Sequence, residues 1–218
     1  MSSTTNGPLK PLKISCKSTN CGNNLHCFQL SKKLLQQGPS GRCRSCGVQL
    51  VDWSRVHRRD LSDAKYTLEA LRYELIRHHF WHIALSQYAI DYARRKGKIA
   101  LKLAVEHRIQ KAVGSPTHPV QGRQTPREDS PTANAIHYAQ HATASCCRPC
   151  LEEWHGIPAD RPLTNEELAY LTELAMLYVE ARIPDLSLNP VSVQRRRRGP
   201  QSESMRIEQP PREMPHAS

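Results

Sequence analysis

The spacing of apolar positions changes character along the chain. Up to residue 53 they come in short β-prone pieces, LKIS, LHCFQL and VQLVDW, separated by the turn-formers GNN and GPSG. That is the pattern of a small ribbon rather than of a helix. From residue 60 a helical period takes over. In DLSDAKYTLEALRYELIRHHFWH, Leu68, Leu71 and Leu75 recur at i, i+3 and i+7 behind Ser62 as a candidate cap. A second helix is predicted through SQYAIDYARRK, stopping at Gly97. A third, KIALKLAVEHRIQKAV, stops at Gly114, with Ile99, Leu103 and Ala104 or His107 on one face. Residues 114–134, rich in Pro, Thr and Ser, read as a long loop. Thr164 and Glu167 form a capping box ahead of a last helix, whose apolar stripe is Leu168, Leu171, Leu174, Ala175 and Tyr178.

The expected architecture is therefore mainly α: a helical domain over 61–183, preceded by a small β-rich module over 15–60. A tail at 1–14 and a basic tail at 184–218, with RRRR at 195–198, lack apolar periodicity. A chain of 218 residues can bury a sizeable core. No run of about 18 apolar residues occurs, so no membrane span is expected. The opening MSSTTNGPLKPLK lacks the apolar stretch of a secretory signal, which makes a cytoplasmic protein the default.

The net charge of +11 is unevenly placed. Residues 1–60 hold ten Lys or Arg against two Asp, whereas residues 61–183 hold fifteen basic and fourteen acidic side chains. A positive field concentrated in the N-terminal segment suits DNA or RNA, with Lys32, Lys33, Arg42, Arg44, Arg58 and Arg59 as the candidate phosphate contacts.

Eight cysteines in a reducing compartment point to metal ligation rather than disulfides. The first group is CKSTNC followed by CRSC: Cys16, Cys21, Cys43 and Cys46. Zinc takes four thiolate or imidazole ligands in a tetrahedron, and two short pairs on separate turns can supply them. Gly47 gives the Cys43/Cys46 knuckle its flexible residue. His26 and Cys27 are possible substitutes, the C-x4-C arm being looser than C-x2-C. Such a zinc would be structural, because four protein ligands leave no open position.

The second group lies in HYAQHATASCCRPCLEEWH, residues 137–155, with three histidines and three cysteines. Four ligands can be drawn from His141, Cys147, Cys150 and His155. Successive side chains usually diverge, so one of Cys146 and Cys147 is expected to be a spectator, and Cys147 makes the better C-x2-C pair with Cys150. A deaminase signature is incomplete, since no cysteine follows Pro149-Cys150 at the required spacing. A thiol activated by Arg148, with His141 or His155 as base, lacks a third orienting group. Were the metal catalytic, Glu152 and Glu153 are the nearest carboxylates to act as base towards a bound water. In RHHFWH, His82 is the preferred candidate for a functional histidine.

The stretch from about Phe80 to Tyr178 resembles a bacterial family known as domain of unknown function 4186. The residues that carry the resemblance are Phe80-Trp81-His82, Lys96-Gly97, Gln124-Thr125-Pro126, Ala139-Gln140-His141-Ala142-Thr143, Cys146-Cys147-Arg148, Cys150, Trp154-His155, Ile157-Pro158 and Leu163-Thr164. Family members usually carry Gly-His-Pro-Val-Phe before the AQH run, where this chain has Ala133-Asn134-Ala135-Ile136-His137. His137 thus replaces an aromatic, which argues against it as a ligand. The resemblance implies that Gln124, His141, Cys147, Cys150 and His155 converge on one site, and it implies no reaction. Two function classes follow: a zinc-stabilised, nucleic-acid-associated or scaffolding module, and a zinc-dependent hydrolase.

Overall fold

The computed structural model describes residues 14–29, 41–116 and 132–193. Its elements are α1 (Trp53–Val56), α2 (Ala64–Leu71), α3 (Leu75–His82), α4 (Gln87–Val113), α5 (Ala135–Ala142), α6 (Arg148–His155) and α7 (Asn165–Arg182). Short 3-10 turns cover Cys21–Asn23 and Leu61–Asp63. The chain is mainly helical, as its periodicity predicts. Among the described residues no helix is long and apolar enough to cross a membrane.

Helix α7 lies at the centre, packed on α4 and α5, and α5 is also covered by α3. The Thr164 hydroxyl accepts from the Glu167 backbone N–H at 3.2 Å and the Glu167 carboxylate accepts from Thr164 N–H at 3.0 Å, the capping box read from the sequence. Tyr170, Leu171, Leu174, Ala175, Met176, Tyr178 and Val179 are all buried, because neighbours close on α7 from several sides.

Three expectations are corrected. The β-prone pieces form no strand among the described residues, only isolated bridges between Asn20 and Leu25 and between His26 and Glu74. Their hydrogen bonds go elsewhere: His26 N–H donates to Tyr73 O at 2.7 Å and Leu75 N–H to His26 O at 2.9 Å. That docking also breaks the single helix expected through residues 62–82. Glu74 takes an extended conformation between α2 and α3, and Asp60 rather than Ser62 caps the preceding turn. On α4 the apolar face is the opposite one. Ile99 and Leu103 are 60% and 64% exposed, while Leu101, Val105 and Ile109 are fully buried, each stabilising the fold by about 1.5–3 kcal/mol. Both faces carry apolar residues, so period alone does not choose between them.

The stop expected at Gly97 is a sharp break. Gly97 has φ 67° and ψ 168°, the helix resumes at once, and Lys98 N–H donates to Ser187 O at 2.9 Å. A Cβ here would lie 2.4 Å from the carbonyl carbon of Asn189, so the position demands glycine twice over.

The N-terminal segment does not stand apart. A second core cluster joins Phe28, Cys43, Val51 and Val56 to Leu71, Cys146, Cys150 and Trp154. Within it the rings of Phe28, Trp53 and Trp154 meet pairwise, with centroids 5.0–5.7 Å apart.

Candidate metal centres

Among the described residues two groups of soft ligands converge. In the first, Cys21, His26, Cys43 and Cys46 present ligand atoms that all lie within 4.8 Å of one another. The chain achieves this with two tight turns. Cys21 opens a 3-10 turn closed by Asn24 in the left-handed region, which swings His26 back towards it. Cys43 and Cys46 flank a turn in which Gly47 N–H donates to Cys43 O at 2.9 Å and Gly47 takes φ 76°. The Cys21 and Cys43 sulfurs are 3.8 Å apart, and Cys46 Sγ is 3.5 Å from His26 Nδ1. A zinc tetrahedron has edges of about 3.8 Å between sulfurs and about 3.6 Å between sulfur and imidazole nitrogen, given its bond lengths. His26 Nε2–H donates to Asn24 Oδ1 at 3.0 Å, which fixes the tautomer that turns a lone pair towards the sulfurs. Burial opposes ionisation of Cys43, but backbone N–H groups of Cys46, Cys27 and Ser45 outweigh it and bring the thiol down to about 6.

Cys16 is not part of this group; His26, an alternative in the sequence, takes the fourth place. A turn closed by Ser18 N–H on Ser15 O at 3.0 Å carries Cys16 away from Cys21, and the Cys16 thiol instead meets that of Cys150.

The second group is Cys146, Cys147 and Cys150, again within 4.8 Å of one another. Cys150 Sγ lies 3.3 Å from Cys147 and 3.7 Å from Cys146. Both adjacent cysteines are brought to Cys150, so their sulfurs converge rather than diverge. Ala144 sits at φ 55°, and Cys147 is the extended residue that caps α6, so the backbone curls through Cys146 and Cys147 instead of sending their side chains to opposite sides. The thiols also lie at the positive end of α6, which favours thiolate.

The charge that faces these sulfurs is Arg77, on α3, which the sequence reading passed over. Its Nη2 donates to Cys150 Sγ at 2.9 Å and its Nη1 to His141 O at 2.6 Å, while Nε donates to Glu74 Oε2 at 3.0 Å. Trp154 Nε1–H reaches the same carboxylate oxygen at 2.8 Å. Arg77 and Glu74 are 1% and 2% exposed, so these protein partners stand in for water around both charges. Hydrogen bonding shared with Cys147 and Cys150, together with the Arg77 charge, holds the Cys146 thiol well below the usual range; the same sharing pushes Cys147 up. An Arg flanked by Leu75, Ile76, Phe80 and Trp81 was the available signal.

The histidines expected here have other work. The His141 ring stacks on Phe80 with centroids 4.6 Å apart. His155 is fully buried, and its Nε2–H donates to Thr143 O at 2.9 Å. Neither joins the three sulfurs. His137 accepts from Asn134 N–H at 3.1 Å as part of the capping box of α5. His82 stacks on His78 and donates from Nδ1–H to its carbonyl at 2.7 Å. Arg148 points away from the cysteines, its guanidinium donating to the carbonyls of Val113, Pro158 and Arg161.

Of the carboxylates, Glu152 is exposed and Glu153 half-buried. Glu153 lines a crevice with Cys16, Glu74, Arg77 and Cys150 that is too narrow to hold a water molecule. Burial, with the charges of Glu74 and Glu152, pushes its carboxyl up to about 8. Among the basic candidates, Arg42 and Arg58 are exposed and Arg44 half-exposed, whereas Arg59 donates to His155 O at 2.9 Å. Lys32, Lys33 and Gln124 fall outside the described residues.

No solved structure matches the chain. Residues 65–180 match the family described as Domain of unknown function (DUF4186), a span that takes in Arg77 and the three-cysteine group but leaves out Cys16 and the first group. Covering more than half of the 218 residues, the match places this chain in that family.

Proposed function

We propose that the chain is a zinc-binding scaffold in which two structural ions, one at each group, hold the N-terminal segment and the family domain as one body. The observation that carries this reading is the spacing of the first group: separations of 3.8 Å between sulfurs and 3.5 Å between sulfur and imidazole are those of a four-ligand zinc tetrahedron. Four protein ligands leave nothing for substrate. The second group supports a structural role through its surroundings. Cys146 and Cys150 are buried and Arg77 donates to Cys150 Sγ at 2.9 Å, so these sulfurs face protein.

The test is refolding of the full chain from denaturant with and without zinc. The scaffold reading expects native near-ultraviolet dichroism only with the metal; equal recovery in chelator contradicts it.

As partner we propose DNA or RNA, contacted through the basic side chains beside the first group. Arg42 and Arg44 flank its ligand Cys43, and Arg58 is exposed on the same N-terminal segment. Binding to a mixed-sequence duplex is expected to weaken steeply with salt. Affinity that does not change with salt removes this partner and leaves the zinc reading in place.

A further inference from the structure

The second group offers three sulfurs, one short of a closed structural site. The chain brings a fourth cysteine to one of them, Cys150, from outside the family domain, although Cys16 stands outside the set whose ligand atoms all lie within 4.8 Å of one another. Cys16 sits in a turn in which Ser18 N–H donates to Ser15 O at 3.0 Å, and Cys27 Sγ–H donates to the Cys16 carbonyl at 2.9 Å. The turn is thereby pinned against the buried side of the segment. Its thiol meets the thiol of Cys150 and lines the same narrow crevice.

We propose that Cys16 is the fourth ligand of the second centre, which makes it a tetrathiolate zinc clasp between the N-terminal segment and the family domain. The inference rests on the reading that both groups hold zinc. Three features favour it. His141 and His155, the imidazoles nearest in sequence, are turned to Phe80 and to Thr143 O. The crevice is also lined by the oxygen donors Gln29, Glu74 and Glu153, and zinc already held by three thiolates takes a soft fourth ligand in preference to an amide or carboxylate oxygen. Finally, four thiolates around one divalent cation leave two negative charges, and Arg77 places its guanidinium on Cys150 and Cys146 at 2.9 and 3.8 Å, where it offsets part of that excess.

The clasp has a structural consequence. Cys16 and Cys150 are far apart in sequence, so one ion would close a very long loop, and the first centre would then be delivered onto the domain already oriented. Loss of the second ion alone would release the N-terminal segment even though that segment contains its own complete centre.

The experiment uses the zinc-loaded full chain. Timed alkylation read by mass spectrometry should find Cys16 protected in the wild type. In Cys150→Ser it should be modified at the rate seen in chelator, with Cys21 still protected. In competition with a chromophoric chelator, Cys16→Ser should bind one of its two zinc ions on the order of 100-fold more weakly, since even an outer partner of a ligand contributes 10–100-fold. Cys16→His should recover most of the loss. Rapid alkylation of Cys16 in the zinc-loaded wild type overturns the proposal without involving any variant. Unchanged affinities in Cys16→Ser, with a loss in Glu153→Gln instead, would assign the fourth place to Glu153. Both of those results keep two zinc ions per chain; fewer than two in the wild type would strike the underlying reading itself.

Discussion

The guanidinium of Arg77 donates to the sulfur of Cys150 at 2.9 Å, with both side chains buried. A cation in that place is stable only while it faces anions: Glu74 on one side and thiolates on the other. Replacing Arg77 with Met leaves the Glu74 carboxylate buried with Trp154 alone. The expected cost is about 3–5 kcal/mol in urea unfolding. Zinc should bind more weakly at the second centre and unchanged at the first, as read by chelator competition.

His26 and Cys16 exchange places relative to their order in the chain, and the exchange is testable. His26→Ala removes the imidazole that faces Cys46 at 3.5 Å. It should weaken one zinc site on the order of 100-fold, by the measure above, while leaving Cys146, Cys147 and Cys150 protected from alkylation in zinc. Loss of protection at those three cysteines would show that His26 does not belong to the first centre alone.

Removing metal should be visible in the aromatic cluster. Trp53 and Trp154 have ring centroids 5.0 Å apart and pack with Phe28 between the two cysteine groups. Chelation is expected to shift tryptophan emission to longer wavelength and to abolish the near-ultraviolet signal, while the far-ultraviolet helix signal of α4 and α7 largely persists. Emission that stays fixed in excess chelator would mean that the cluster holds without metal.

Acid should destabilise the fold through two histidines. Burial, opposed only in part by the Thr143 hydrogen bond, lowers the His155 ring to about 4; burial beside Arg108 and His141 does the same to His137, also to about 4. Both rings are held neutral, and the unfolded chain binds the extra protons. Their contribution is therefore complete above the ordinary histidine value of 6.5 and is lost as pH falls from there towards 4. For fully buried His155 it amounts to about 3 kcal/mol. Unfolding titrations of His155→Gln should show a flatter dependence between those limits; a slope equal to wild type contradicts the assignment.

Gly97→Ala meets two obstacles, a φ of 67° with ψ 168° and a Cβ 2.4 Å from the Asn189 carbonyl carbon. A loss of about 2–4 kcal/mol is expected in thermal or urea unfolding. Only a small change would mean that the 187–191 segment moves aside freely.

Much of this was legible in the sequence. Capping at Thr164 and Glu167, the break at Gly97 and the two concentrations of cysteine all depend on neighbours a few residues away, which spacing reports well. Ligand membership does not. Cys16 lies five positions from Cys21, but the turn between them sends one towards Cys150 and the other towards Cys43. The adjacent Cys146 and Cys147 share a site because the backbone curls after Ala144, a bend with no pattern of its own. The ribbon failed as a prediction because His26 pairs with Tyr73 and Leu75, partners that no local period could reveal. Arg77 was missed because a single charge in a helix reads as solvated until the fold buries it.

The most direct test of the two-centre account is the zinc content of the purified full chain by mass spectrometry of the elements, beside Cys46→Ser and Cys150→Ser. The account predicts two ions per chain, falling to one in each variant. A folded wild-type chain with no bound metal, or a variant that keeps both ions, would contradict it.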